Sequence, residues 1–466
     1  MRLSIARLLA GCAMLFGLPI SASASEAQIV EWIEQFFATS DASVQRDLAD
    51  KIAVDPAYDR SHVSAWLHQA RLFQPIAPGQ QQVSVALPHG ARGLLLRIPT
   101  GYDPARAWPV LYALHGTGGD ADSIVRYLEQ LLGAQIEQFV VAAPDQYEDF
   151  VVQDRFPPTQ EHFLCLREVR KRVHVDSDRV YVTGYSRGGH ASWTLSILCP
   201  DEFAGAMPLS GTLLLPEVDA FWPDFIDATA HLRILAVWGA EDRMGYDGKP
   251  SPQGGIAKLN RDLAKLVAAK SIDARMVELP GVGHGGVAPS QSDLTWLLGA
   301  RREHFPATTE QTFRELSQAR AYWLEGLTWT GPQWTDQPLR VSISEIPAGM
   351  SEEEAGRKEL QREYRSRFGK LGGSVEGQTV RVHRKQLSEV NIWVSPELLD
   401  VSRPVTVYMS GAKIFEGTLA PDLLTCLTRA QRTHDLDRLY WCGVHFKSGG
   451  KAAAITLADG LKGPAR

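Results

Sequence analysis

Arg179-Val180-Tyr181-Val182-Thr183-Gly184-Tyr185-Ser186-Arg187-Gly188, continuing as an apolar run to Leu198, is the stretch that decides how this chain reads. Residues 179–183 are a β-branched strand, and residues 188–198 read as a helix. Between them Ser186 sits with a glycine two positions away on each side, so strand and helix can approach closely and meet in a sharp turn that lifts the serine hydroxyl clear of a sheet. A hydroxyl is a weak nucleophile at neutral pH, so such a serine needs an imidazole to take its proton and an acid to orient that imidazole.

The chain supplies both downstream. The apolar run Leu232 to Trp238 leads into Gly239-Ala240-Glu241-Asp242, which places a carboxylate at the carboxyl end of a strand, where ligands gather in open α/β sheets. Asp242 is favoured over Glu241. The strand Ala274 to Glu278 leads into Pro280-Gly281-Val282-Gly283-His284-Gly285-Gly286, a histidine on a glycine-rich loop ahead of a helix. Ser186, Asp242 and His284 therefore stand in the chain order serine, acid, histidine. His162, His174 and His231 read as packing or surface residues, and His190 as pointing along its helix.

Attack on a carbonyl builds charge on oxygen, which calls for backbone N–H donors. One is expected from Arg187 and the other from Gly116 or Thr117, in His115-Gly116-Thr117-Gly118-Gly119 after the strand Pro109 to Leu114. That stretch resembles the His-Gly oxyanion loop of esterases and lipases. No lysine follows these glycines in a P-loop arrangement, and neither an H-E-x-x-H nor a C-x-x-C ligand set occurs, so no metal or cofactor is expected.

Around these motifs the chain alternates strands and helices. Strand candidates are Val83 to Leu87, Gly93 to Pro99, Pro109 to Leu114, Phe139 to Ala143, Arg179 to Thr183, Ala204 to Leu209, Leu232 to Trp238 and Ala274 to Glu278. Helix candidates lie near 121–134, 160–172, 188–198, 255–269 and 290–302. This inventory predicts an α/β-hydrolase fold, a mostly parallel eight-stranded sheet with flanking helices, over residues 79–305. The helix candidate Ala220 to Ala230, with Arg187, is read as lining a pocket.

Residues 28–73 have helical apolar spacing and read as an N-terminal appendage spanning 25–78. Beyond residue 318 the pattern turns to alternating runs: Ala321 to Leu327, Leu339 to Ile343, Thr379 to His383, Glu389 to Val394, Val405 to Met409 and Leu439 to Phe446. Ser410-Gly411 is a hairpin signal, and a small antiparallel β-sandwich over 318–450 is expected. A charged stretch, 347–372, interrupts it with Glu354/Lys358 and Glu363/Arg367 at i, i+4 spacing and reads as a solvated helix.

Arg2 and Arg7 precede an apolar run from Leu8 to Ile20 and a small-residue stretch from Ser21 to Ser25 that offers Ala22-Ser23-Ala24 as a cleavage site, the pattern of a secretory signal over residues 1–24. The run is shorter than the roughly 20 residues needed to span a bilayer. Leu9-Ala10-Gly11-Cys12 also fits a lipoprotein box. A periplasmic or secreted protein is expected. Its remaining cysteines, Cys165, Cys199, Cys426 and Cys442, would then either pair locally, 165 with 199 and 426 with 442, or stay as buried thiols. With 44% apolar and 22% charged residues the chain has the composition of a folded domain, and its net charge of −6 without a basic tract argues against a nucleic-acid partner.

The stretch Phe163 to Gly211, with its elbow and Pro208-Leu209-Ser210-Gly211, resembles exported bacterial α/β-hydrolases of the polyhydroxybutyrate-depolymerase-like and feruloyl-esterase-like carboxylesterase group. The segment Val394-Ser395-Pro396-Glu397-Leu398-Leu399-Asp400, followed by Pro404-Val405-Thr406-Val407, resembles the accessory β-domain that often follows them. The resemblance implies cleavage of small or polymeric carboxylic esters without a cofactor. Arg187, where smaller or apolar residues are frequent, and the charged stretch 347–372 depart from the pattern. A serine peptidase of the oligopeptidase type would use the same triad, and a binding protein on an inactive hydrolase scaffold would keep the fold without the chemistry.

Overall fold

Short β-branched runs bounded by glycine and proline become the strands of one sheet in the computed structural model, which describes residues 24–88, 90–145, 159–213, 222–245, 249–252, 254–332, 341–343, 346–450 and 452–455. Residues 1–23, which hold nearly all of the expected leader together with Cys12, lie outside that set. The chain divides into two compact units, residues 1–70 and 71–466.

Within the first unit three helices, α1 (Ala24–Ala38), α2 (Ala42–Ala53) and α3 (Val63–Gln69), bury Ile29, Ile33, Phe36, Leu48, Ile52, Trp66 and Leu67. The side chain of Asp41 caps α2 by accepting from the Ser43 and Val44 amides. Among the described residues no helix is long and apolar enough to cross a membrane.

The second unit opens with β1 (Gly79–Leu87), β2 (Gly90–Ile98), β3 (Trp108–Leu114), α4 (Ala121–Leu132), β4 (Val140–Pro144), α5 (Thr159–Arg172), β5 (Val175–Tyr185) and α6 (Arg187–Leu198). It continues through β6 (Gly205–Leu209), β7 (Arg233–Gly239), α7 (Gly255–Ala269), β8 (Ala274–Leu279) and α8 (Gln291–Leu298). The strands align as β1-β2-β4-β3-β5-β6-β7-β8. β2 runs antiparallel to both its neighbours, and the remaining pairs are parallel.

Both faces of the sheet are covered, which is why its central strands are apolar without a break. Along β3, Val110, Tyr112 and Leu114 enter the core shared with α5, α6 and α7, whereas Leu111 and Ala113 enter the core under α4 and α8. The order, the helix placement and the covered faces are those of an α/β-hydrolase sheet.

Two further sheets follow. Their elements are β9 (Thr308–Phe313), β10 (Arg320–Ala321), β11 (Leu324–Trp329), α9 (Glu352–Ser366), β12 (Gly369–Glu376), β13 (Thr379–Lys385) and β14 (Leu387–Val394). Then come β15 (Val405–Met409), β16 (Ala412–Gly417), α10 (Leu423–Thr433), β17 (Cys442–Lys447) and β18 (Ala453–Ala454). The sheets β10-β11-β14-β17-β18 and β16-β15-β13-β12-β9 share a core that includes Phe313, Trp323, Val382, Ile392, Val407 and Val444. All pairs are antiparallel except β13 with β15. Ser410 and Gly411, with φ of 50° and 87°, make the two-residue turn between β15 and β16. In the charged segment, Ser351 and Glu354 form a capping box at the start of α9, and Glu363 pairs with Arg367.

Three expectations need correction. The four cysteines are free and buried, so the local pairing is not formed and the buried-thiol alternative holds: Cys165 and Cys199 sit in one apolar core, where the Cys199 thiol faces Leu195 O and burial pushes the Cys165 thiol up to about 12. The candidate 220–230, whose Asp227, Ala228 and Ala230 help to line a cavity that is shared with Gly373 and Val382 and does not include Ser186, is not an α-helix. Its described part is a run of 3-10 turns, Trp222–His231, whose Phe225 packs into the core 5.0 Å from the Phe368 ring. The candidate strand 339–343 lies partly outside the described residues, and 341–343 form no strand.

Candidate active site

The end of β5 sets the geometry. Ser186 adopts φ 56° and ψ −116°, a left-handed conformation that costs a residue other than glycine about 1–3 kcal/mol and so must be imposed by its surroundings. The Ser186 amide donates to Leu209 O at 2.8 Å, and Ser186 O accepts from the His190 amide at 3.0 Å, which starts α6. The glycines on either side are there for space. A methyl group on Gly188 would lie 1.9 Å from Leu114 O, and one on Gly184 would lie 2.4 Å from Gly188 O.

Ser186, His284 and Asp242 converge. His284 Nε2 lies 2.8 Å from Ser186 Oγ, and His284 Nδ1 lies 2.8 Å from Asp242 Oδ2. Asp242 is fully buried and its Oδ1 accepts from the Met244 amide at 3.1 Å, so the carboxylate has its orientation fixed. Glu241, its neighbour, is exposed. The loops that carry acid and histidine are sewn together by main chain: Ala240 N donates to Leu279 O and Glu241 N to Val282 O, each at 2.9 Å. Gly239 permits this approach, since a methyl group there would lie 2.2 Å from both Val282 O and Gly283 O. In the tautomer that donates Nδ1–H to the carboxylate, Nε2 presents its lone pair toward Ser186 Oγ.

The loop after β3 also reaches the serine. A methyl group on Gly116 would lie 3.5 Å from Ser186 Cβ, and Thr117 follows in the turn closed by Gly119 N to Gly116 O at 3.1 Å. Arg187 is the first residue of α6, whose amino end carries the positive end of the helix dipole.

Sequence reading passed over several residues here. Tyr185 OH at 2.8 Å and Ser210 Oγ at 2.9 Å both donate to His284 O, and Tyr127 OH donates to Val287 O at 2.6 Å. A hydroxyl that acts on a backbone carbonyl leaves no motif, although Tyr185 stands inside the elbow itself. His190 does not point along its helix. It is buried, its Nδ1 lies 2.9 Å from Thr212 N and 2.8 Å from Thr212 O, and burial lowers its pKa. His162 is buried against Tyr112 OH, at 2.6 Å, and His174 is buried as well, in keeping with packing roles.

Sheet order, strained serine and coverage on both faces define an α/β-hydrolase. More narrowly, residues 85–284 match the model of a family described as putative esterases. The chain is 25% identical to endo-1,4-beta-xylanase Y of Acetivibrio thermocellus over 26% of its own length and 13% of the relative's. It is 30% identical to feruloyl esterase C of Emericella nidulans over 26% of its length and 47% of that protein's. It is 29% identical to poly(3-hydroxyalkanoate) depolymerase C of Paucimonas lemoignei over 34% of its length and 41% of that one's. The chain thus spans less than half the length of each of these relatives.

Proposed function

We propose that the chain is a serine hydrolase that cleaves carboxylic esters through an acyl-enzyme, with Ser186 as nucleophile, His284 as general base and Asp242 orienting the imidazole. Ser186 Oγ attacks the ester carbonyl carbon while its proton passes to His284 Nε2. The oxyanion is held by the Arg187 amide and that of Gly116 or Thr117. As the tetrahedral adduct collapses, the imidazolium returns the proton to the departing alkoxide and the alcohol leaves. Water then attacks the acyl group, giving its proton to His284, and the carboxylic acid is released with Ser186 restored.

The observation that carries this reading is the unbroken chain of 2.8 Å contacts from Ser186 through His284 to buried Asp242. The family match over 85–284 supports the ester as substrate, and the names of the relatives, a feruloyl esterase and a poly(3-hydroxyalkanoate) depolymerase, favour oxygen-linked acyl groups. The reading includes export, with residues 1–24 as leader, 25–78 as a helical appendage, 79–305 as the catalytic domain and 318–450 as an accessory β-domain.

The test is hydrolysis of p-nitrophenyl esters of graded chain length beside peptide amides, with Ser186→Ala as control. Ester turnover that disappears in Ser186→Ala, with Ser186 labelled by a fluorophosphonate probe, is expected. Preferential amide turnover would assign a peptidase instead, and absence of both turnover and labelling would leave a binding scaffold.

A further inference from the structure

The imidazole at the centre of the site stands on a glycine-rich loop. Gly281, Gly283, Gly285 and Gly286 surround His284, and glycine gives up more conformational freedom on ordering than any other residue. Something outside the loop must hold it. Tyr185 OH and Ser210 Oγ do so from two sides, both donating to His284 O, at 2.8 and 2.9 Å. Both donors belong to the frame that fixes the nucleophile. Tyr185 directly precedes Ser186, and Ser210 follows Leu209, whose carbonyl accepts the Ser186 amide at 2.8 Å. Ser210 is itself buried and held at φ 46°, with its amide donating to Val237 O at 2.9 Å. Tyr127 OH secures the exit of the same loop through Val287 O at 2.6 Å, and its ring packs 5.3 Å from that of Tyr185.

We infer that Tyr185 and Ser210 are positioning residues that act through the His284 carbonyl to keep Nε2 within bonding distance of Ser186 Oγ during turnover. This rests on the triad reading above. The physics is that of one acceptor with two lone pairs, each filled by a hydroxyl. While one hydroxyl remains, the carbonyl is still anchored. When both are gone the His284 carbonyl loses its side-chain anchors, leaving the main-chain bond at Val282 O and the Asp242 contact to hold the imidazole, and a displacement of about 1 Å costs roughly 100-fold in rate. The signature is therefore non-additivity, concentrated in kcat, because neither hydroxyl touches substrate in this scheme.

The experiment uses the full chain and its Tyr185→Phe, Ser210→Ala, Tyr185→Phe/Ser210→Ala and Ser210→Thr variants, assayed for kcat and KM on p-nitrophenyl acetate, with thermal unfolding run in parallel. Each single removal is expected to lower kcat about 3- to 10-fold with KM little changed, and the double variant about 100-fold or more, beyond the product of the singles. Ser210→Thr, which keeps a hydroxyl, should retain most of the rate. A folded double variant with kcat within about twofold of the parent, or strictly multiplicative losses, would overturn the inference. If the double variant fails to fold, Tyr185→Phe against Ser210→Thr decides it: equal losses in those two refute a role for the hydroxyls. A parent that neither turns over ester nor labels at Ser186 sinks the triad reading itself, an outcome that the parent's assay alone distinguishes.

Discussion

Asp242 has two jobs on its two oxygens, accepting from the Met244 amide on Oδ1 and facing His284 Nδ1 on Oδ2. An asparagine in its place would keep Oδ1 on Met244 and turn its NH₂ toward the imidazole. His284 would then have to present a lone pair at Nδ1 and carry its proton at Nε2, pointed at the serine it should deprotonate. Asp242→Asn is therefore expected to lower kcat by about 10⁴ with little change in thermal midpoint; a loss below tenfold would mean that Asp242 does not set the tautomer. Gly188→Ala addresses the elbow instead, since its methyl would meet Leu114 O at 1.9 Å. That variant should lose ester turnover outright, and a purified Gly188→Ala protein with parental activity would contradict the close approach of β3 to α6. These residues were legible because each lies at the end of an apolar strand on a glycine-marked turn. Tyr127 and Ser210 were not, because their hydroxyls act on carbonyls that any residue carries.

Helices α5 and α6 and the turn after α10 bring in histidines outside the proposed triad that titrate with the fold. Burial lowers the pKa of His162 to about 3 and of His434 to about 4, and lowers that of His190 as well. An unfolded histidine takes up its proton near 6.5, so above that pH the unfolded and folded states bind alike and the stability is fully present. Below 6.5 the unfolded chain binds protons that the native one refuses, and stability falls toward the folded pKa values by up to about 1.4 kcal/mol per pH unit for each group. Urea midpoints should drop between pH 7.5 and 5, a range above that in which carboxylates titrate, and His162→Gln should flatten the slope by about that amount. An unchanged slope in the variant would remove His162 from the account. The strands also show why the two C-terminal sheets read less well than the sheet of β1 to β8. β12, Gly369-Lys370-Leu371-Gly372-Gly373-Ser374-Val375-Glu376, has glycines in place of side chains that would mark a strand, and it is a strand because β9 and β13 pair with it on both sides. Gly373 is needed there, since a methyl group would meet Arg381 O at 2.6 Å.

Within the larger unit the hydrolase sheet and the β-sandwich are joined by buried charge. Asp201 and Glu202, in the turn after α6, meet Arg320 of β10 and Arg438, which precedes β17: Asp201 lies 2.7 Å from Arg320 and 3.0 Å from Arg438, and Glu202 also pairs with Arg320. Arg170 of α5 lies 2.9 Å from Glu202, and Arg302 makes two bonds to Asp435, at 2.7 and 3.0 Å. Burial opposes the charge on Glu202 and Asp435, but the surrounding arginines outweigh it and hold both carboxyls well below their usual range. Because α6 begins at the nucleophile and ends in this cluster, the sandwich braces the helix that carries Ser186. Charges in such a cluster stabilise little as a set, yet removing one partner strands the others away from water at about 3–5 kcal/mol. Arg320→Ala is therefore expected to lower the unfolding free energy by about that much, measured by urea denaturation of the intact chain, and to lower the inactivation temperature of ester turnover in step with it. Parallel loss follows if sheet and sandwich unfold together. A variant whose sandwich melts early while turnover persists would show that the buried cluster does not couple them.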